Sequence, residues 1–374
     1  MSWEDYKLKD VATFINGKAY QAAELLENGK YRVLRVGNLF TINSWYYSDL
    51  ELKPDKYCSN GDLIYAWSAT FGPRIWKEEK VIYHYHIWKV KPKTDLIDKM
   101  FLFYFLDWDS ENIKSTLGTG ATMIHVSKGS IEKRDISVPP LQTQKRIADV
   151  LSAYDDLIEN NLKRIKLLEQ AAQNIYKEWF VNMRFPGHEK TPINEETGLP
   201  VGWEEKALGE FTEIKKGKNI TKSTIVDGNV PVVAGGLKPA YYHNTSNTIN
   251  PVITVSASGA NAGYVNIYLE DIWVSDCSYV DSSLTDSVFF VHNLLLHQQE
   301  LVFGMQRGSA QPHVYPKDLK RAEFIIPDKS LIQSFEEQVS SQYSMKRVLL
   351  NKNQKLKAAR DILLPRLMNR TIEL

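Results

Sequence analysis

Carboxylates beside a lysine can hold a metal ion and cleave phosphodiesters, and Asp55 after Pro54, with Glu78, Glu79 and Lys80, supplies that set. A related stretch farther along has Glu270-Asp271 without a lysine, so these side chains read as surface charge rather than a nuclease centre. His84 and His86 alternate beside tyrosines, but zinc needs further ligands at suitable spacing. None is evident, and the two read as packed or hydrogen-bonded histidines. Cys58 and Cys277 make neither a metal spacing nor a disulfide framework, which is the pattern of reduced thiols in a cytoplasmic protein. No Walker loop and no dinucleotide fingerprint is present, so no cofactor is expected.

Polar, glycine-bearing loops offer a different chemistry, contact with phosphates and base edges. Thr119, Gly120, Thr122 and His125 lie in one such stretch, and Arg307, Gly308, Gln311 and His313 lie in a similar one. Glycine lets backbone approach closely, small hydroxyls donate to phosphate, and Arg307 and Gln311 have the forks that pair with guanine and adenine. Ser68, Thr70 and Arg74 follow a strand-like run, as do Ser256, Ser258 and Asn261. Gly17-Lys18 and Gly217-Lys218 place a lysine beside a turn, suited to neutralising phosphate. Arg35 and Asn38 follow another strand-like run, where the later stretch has Gly235-Gly236. Recurring tight turns and solvated lysines are the alternative explanation for all of these.

These candidates come in pairs because the chain is an internal repeat. Trp3/Trp203, Leu8/Leu208, Gly17/Gly217 and Lys18/Lys218 differ by 200, whereas Gly120/Gly308, His125/His313 and Pro139/Pro327 differ by 188. The second copy is therefore 200 − 188 = 12 residues shorter between those anchors. Each copy is a mixed globular unit followed by a long helix. From Gln142 to Val181 there is no Pro or Gly, and Ile147, Leu151, Tyr154, Ile158, Asn161, Ile165, Leu168, Ala172, Ile175 and Trp179 keep a heptad seam. About 40 residues of helix make a rod of roughly 60 Å. The second seam, through Phe335, Val339, Leu349, Leu356, Leu363 and Leu367, is interrupted by Gln342, Lys346, Asn353 and Arg360, and Pro365 should kink or end it.

The expected class is α+β: two mixed α/β globular domains separated by two long antiparallel coiled-coil helices, with a pseudo-two-fold internal repeat. The boundaries are 1–140 for the first globule, 141–181 for the first helix, 182–202 for a connector, 203–327 for the second globule, and 328–374 for the second helix and tail. Net charge is +1, with 43% hydrophobic and 24% charged residues, so any basic surface must be local. No apolar run is long enough to span a membrane. Two heads on a fixed spacer suit duplex DNA, whose half-sites recur on one face about every 34–36 Å.

The chain resembles the specificity subunits of type I restriction–modification systems. The resemblance rests on Trp3-Glu4-Asp5-Tyr6-Lys7-Leu8 and its second copy, and on the junction Val138-Pro139-Pro140-Leu141-Gln142-Thr143-Gln144-Lys145-Arg146-Ile147. It rests also on Glu178-Trp179-Phe180-Val181-Asn182-Met183-Arg184-Phe185-Pro186-Gly187 and on the order globule, helix, globule, helix. The second junction, Ile326-Pro327-Asp328-Lys329, departs from the Pro-Leu-Gln-x-Gln pattern. The resemblance implies that each globule is a target-recognition domain for one half of a split double-stranded DNA site. It implies that the helices set the gap and dock two methyltransferase subunits, that restriction subunits join the assembly, and that this chain catalyses nothing.

Overall fold

The computed structural model describes residues 3–40, 44–68, 70–117, 125–308 and 311–374. The chain folds as two compact units, Met1–Glu159 with Gln354–Leu374, and Asn160–Asn353. Each unit takes one globule and one end of each long helix.

In the first unit, Glu4–Lys7 pairs antiparallel with Asp135–Val138, closing the globule near the start of the first long helix. A four-stranded sheet runs in the order Ala12–Asn16, Ile87–Pro92, Leu63–Ala66, Gly72–Ile75. A second sheet runs Tyr46–Ser48, Tyr31–Leu34, Val81–Tyr83, Tyr57–Cys58, with its middle pair parallel. The helix Lys99–Leu117 begins where the Asp98 carboxylate accepts the Met100 and Phe101 N–H groups at 2.8 and 3.0 Å. It buries Phe101, Leu102, Tyr104, Phe105 and Leu106 in one core with Phe14, Tyr65 and Trp88.

The second unit repeats this plan. Glu204–Ala207 pairs with Glu323–Ile326, and a four-stranded sheet runs Lys215–Lys216, Cys277–Asp281, Val252–Ser256, Val265–Tyr268. A smaller sheet runs Tyr241–His243, Val230–Val233, Trp273–Val274, again with a parallel pair. The α+β class and the internal repeat expected from sequence are both present.

The first long helix, Leu141–Tyr176, passes into a π-helical turn at Lys177–Val181. Its junction is tied to the first globule by Gln144, which is fully buried. The Gln144 amide nitrogen donates to Pro139 O and Leu96 O at 2.7 and 2.9 Å, and its oxygen accepts Asp98 N–H at 2.7 Å. The second long helix, Lys329–Met368, starts where Asp328 accepts the Ser330 and Leu331 N–H groups. It continues three residues beyond Pro365 rather than ending there. So near the C-terminus, proline removes a donor without costing the many turns it would interrupt mid-helix.

Three of the four polar interruptions of the second seam, Lys346, Asn353 and Arg360, are met from the first helix. Within the second unit, Asn353 Oδ1 accepts Asn161 Nδ2 at 2.8 Å and Lys346 pairs with Glu169 at 2.7 Å, which makes the helices antiparallel there. Both asparagines are buried, at 8% and 4% exposure. Within the first unit, Arg360 pairs with Asp155, which also accepts the Tyr104 hydroxyl at 2.7 Å, while Leu364, Leu367 and Met368 join Ile147 and Leu151 in the core. The helices are antiparallel there too.

In the second unit the helix Val288–His297 lies against this pair. Phe289 stacks on Tyr343 at 4.0 Å, and Asn293 links the Tyr343 hydroxyl to Gln173. The Glu336 carboxylate accepts Phe290 N–H at 2.6 Å, capping that helix from the side. Burial pushes the Glu336 pKa up to about 7, against the opposing pull of the Phe290 and Phe289 N–H groups. The folded value lies above the ordinary 4.5, so the folded state holds this proton more tightly. Its contribution is complete below about pH 4.5 and is lost as pH rises through about 7. Glu336→Gln keeps an acceptor and removes the titration. It should raise stability at pH 8 by on the order of 2 kcal/mol and leave pH 4 unchanged. Urea unfolding at the two pH values measures this, and equal effects at both would refute it.

Candidate nucleic-acid interface

The clearest shared construction is a bridge between two loops in each unit. In the first, Ser68 bridges His125, Trp67 N–H donates to His86 O at 3.1 Å, and Val126 N–H donates to Trp67 O at 3.0 Å. In the second, Ser258 bridges His313, Ala257 N–H donates to Asp276 O at 3.2 Å, and Val314 N–H donates to Ala257 O at 3.0 Å. Ser68 therefore corresponds to Ser258 and Trp67 to Ala257. Loop lengths differ between the units, and the backbone pairing sets this register.

The glycine–lysine turns have the same backbone role in both units. Gly17 N–H donates to Ile87 O and Lys18 N–H to Tyr83 O, at 3.2 and 3.0 Å; Gly217 N–H donates to Cys277 O and Lys218 N–H to Val274 O, at 2.8 and 3.0 Å. A Cβ at Gly17 would stand 2.2 Å from Tyr83 O, and one at Gly217 would stand 2.2 Å from Ser275 O. Close approach of backbone to backbone thus explains both glycines, and these amides are occupied. The Lys18 ammonium pairs with Glu24 at 3.0 Å, whereas Lys218 is exposed beside exposed Lys215 and Lys216.

Between the matched strands the two units diverge. In the first, the loop beyond Tyr83 is His84-Tyr85-His86, and in the second the loop beyond Val274 is Ser275-Asp276. The His84 ring lies 4.8 Å from His86, and His86 lies 4.9 Å from Trp67, which lies 6.0 Å from His125. Burial drives the His84 pKa down to about 4, with His86 and Arg35 adding to the effect. Burial also lowers His86, with His125 contributing. Both are neutral imidazoles at pH 7, each offering one donor and one acceptor. Among the described residues no group of three or more His, Cys, Asp or Glu can hold a metal ion.

Arg35 lies over the Tyr46 ring at 4.2 Å and donates to Ser44 O at 3.2 Å, and Asn38 Nδ2 donates to the same carbonyl at 2.8 Å. The corresponding loop of the second unit begins Ala234-Gly235, where a Cβ at Gly235 would stand 2.7 Å from Ser258 O. Asn261 Nδ2 donates to Gly235 O at 3.3 Å, and the Ser258 hydroxyl bonds the Asp276 carboxylate. The tyrosine pair was not singled out by sequence. Tyr46-Tyr47 and Tyr241-Tyr242 occupy matching edge-strand positions, Tyr46 opposite Val33 and Tyr241 opposite Val232.

Other candidates fall elsewhere. Ser68 and Ser256 are buried, each where its strand end turns against the core. Thr70 and Gln311 are exposed. Arg74 lies over the Phe40 ring at 4.5 Å and lines a cleft of about 840 Å³ with Tyr104, Asp107 and Asp155. His313 stacks on Tyr315, and the Arg307 guanidinium pairs with Asp318 at 2.6 Å beside the left-handed turn at Gly308. Thr119, Gly120 and Thr122 lie outside the described residues. The nuclease-like set is dispersed into other contacts. Arg32 bridges Glu78 and Glu79 at 3.0 Å each, and the Lys80 ammonium sits 4.0 Å over the Tyr57 ring. Cys58 and Cys277 are free and buried, with burial pushing each pKa up to about 12.

A family described as "Type I restriction modification DNA specificity domain" matches residues 1–170 and 200–346. The chain is 25% identical over 303 residues to the type I restriction enzyme MjaIX specificity subunit of Methanocaldococcus jannaschii, covering 74% of this chain and 69% of that one. It is 22% identical to the type I restriction enzyme HindI specificity subunit of Haemophilus influenzae, covering 98% and 99%. The crystal structure of a type I restriction–modification S subunit from M. genitalium aligns over 98% of this chain and 96% of its own, with a TM-score of 0.59 at 16% identity, a likeness of fold. Twice-matched family, a whole-length relative and a duplicated α+β architecture agree: this chain belongs to the specificity subunits of type I restriction–modification enzymes, their non-catalytic component.

Proposed function

We propose that the two globules, residues 1–140 and 203–327, each read one half of a bipartite double-stranded DNA site. The observation that carries this is the pairing of constant scaffold with divergent loops. Both units keep the Ser–His bridge and the glycine–lysine turn, yet present His84-Tyr85-His86 and Arg35 in one and Ser275-Asp276 and Gly235 in the other. Phosphate contacts position such a reader and base contacts specify the site. The candidates are Lys18, Arg35, Asn38, Thr70 and His125 in the first unit, and Lys218, Ser258, Asn261, Arg307, Gly308, Gln311 and His313 in the second.

The paired helices set the gap between half-sites and dock two methyltransferase subunits, which restriction subunits join. Leu162, Leu167, Met345 and Val348 are exposed apolar residues on those helices, at 43% or more, and suit partner helices. The complex works in the cytoplasm, where its DNA lies, and all catalysis comes from the partners.

Selection from randomised duplexes, by the chain assembled with its methyltransferase subunits, tests this across a salt series. The expected result is one split motif with a fixed gap, and affinity that falls steeply with salt. Binding without an enriched motif, or without salt dependence, would overturn it.

A further inference from the structure

Arg307 is held from both ends. Its backbone exchanges two hydrogen bonds with His313, each 2.9 Å, across the turn in which Gly308 has φ +93. Its guanidinium Nη2 donates to Asp318 Oδ1 at 2.6 Å. The two side chains differ sharply in exposure, 62% for Arg307 and 7% for Asp318. The second carboxylate oxygen, Asp318 Oδ2, is buried with no hydrogen-bond partner among the described residues. Both line a cavity of about 470 Å³ with Arg321 and Glu323.

This geometry is poorly suited to stabilising the fold. Ion pairs with an exposed member contribute little to stability, and withdrawing a carboxylate from water with one oxygen unmet carries a cost. What the carboxylate does achieve is to fix an arginine that otherwise loses its rotamer freedom on binding. A guanidinium has five N–H donors in a rigid fork, and Asp318 takes one, leaving others directed to solvent. The first unit has a related pair, with the acid on the long helix Lys99–Leu117 rather than on a short helix such as Pro316–Arg321, which carries Asp318. Asp109 is buried at 6% side-chain exposure, pairs with the 35% exposed Arg134, and also leaves Oδ2 without a hydrogen-bond partner among the described residues. A buried acid paired with a more exposed arginine thus occurs in both units, although Arg134 is half-buried and Arg307 is open to solvent.

We infer that Asp318 is a positioning residue that orients the Arg307 fork toward a guanine in the second half-site, so that the pair rather than Arg307 alone specifies that base. This rests on the DNA-reading role proposed above. A carboxylate directly behind the guanidinium reduces its value as a bare charge for phosphate. The pair therefore serves geometry more than electrostatic affinity.

The test uses the chain in complex with its methyltransferase subunits, comparing wild type, Asp318→Asn and Arg307→Lys in duplex selection and in titration of non-specific duplex. Asp318→Asn should lose about ten-fold of the discrimination at one position of the second half-site. The first half-site should be unchanged, and affinity for non-specific duplex should be unchanged or higher, because a negative charge has gone. Arg307→Lys keeps the charge without the fork, sits on the surface, and should lose the same position even if Asp318→Asn folds poorly. Unaltered discrimination in either variant overturns the inference. So does a parallel loss of specific and non-specific affinity in a folded Asp318→Asn protein, which marks a merely structural role. A wild type that enriches no split motif overturns the DNA-reading role itself and the inference with it.

Discussion

Gly217→Ala is expected to destabilise the second unit by about 3 kcal/mol, and Gly17→Ala to do the same to the first, with Gly129→Ala as a near-neutral control. The methyl group at Gly217 would lie 2.2 Å from Ser275 O and 2.7 Å from Val274 O, and at Gly17 it would lie 2.2 and 2.5 Å from Tyr83 O and His84 O. These are backbone oxygens of sheet strands and their loops, which cannot swing aside as a long side chain can. The turn must move instead. Moving it breaks the hydrogen bonds to Cys277 O and Val274 O in one unit and to Ile87 O and Tyr83 O in the other. Two bonds at about 1 kcal/mol each, with overpacking of 1–3 kcal/mol, give the stated size. Among the described residues no heavy atom lies within 4 Å of a Cβ added at Gly129, which sits in a short helix, so alanine there meets no clash with them. Urea midpoints of the three variants decide the matter. A Gly217→Ala protein as stable as Gly129→Ala would show that the turn relaxes freely.

Phe335→Ala should cost the second unit about 3–5 kcal/mol, the range for emptying a large aromatic from a packed core. Phe335 is fully buried on the second long helix. Its ring meets Phe180, Trp179 and Tyr176 from the first helix at 5.2, 6.0 and 6.1 Å, and Phe290 from the globule at 6.5 Å. The cavity would open where three elements converge, so no single neighbour can collapse to fill it. Trp179 and Trp203 lie in or against the same core and report its loss by fluorescence. A midpoint shift equivalent to under about 1 kcal/mol would mean that this core repacks.

The helices were legible because a heptad seam is a local, periodic signal. Ile147, Leu151, Ile158, Ile165 and Ala172 all prove buried. The second helix was harder to read, because Lys346, Asn353 and Arg360 break its apolar pattern. Each break has a polar partner on the first helix, and no single-strand pattern can reveal that. The site was less legible still. The glycine–lysine turns look like phosphate loops in one dimension, but their amides are bound to neighbouring strands. The equivalence of Ser68 with Ser258 and that of Tyr46 with Tyr241 are hidden in the same way, since loop lengths mask matches that strand pairing exposes.

The duplication, the α+β class, the two long helices and the kinship with specificity subunits are all legible in the unfolded string of residues. Those properties are carried by residue order, apolar period and breaker residues, all of which act over a few turns of chain. Which loops correspond, which backbone amides are already occupied, and which acid stands behind Arg307 emerge once the chain is folded. These depend on segments far apart in the chain meeting at hydrogen-bond distance, where a one-residue change in loop length alters the pairing without altering the pattern.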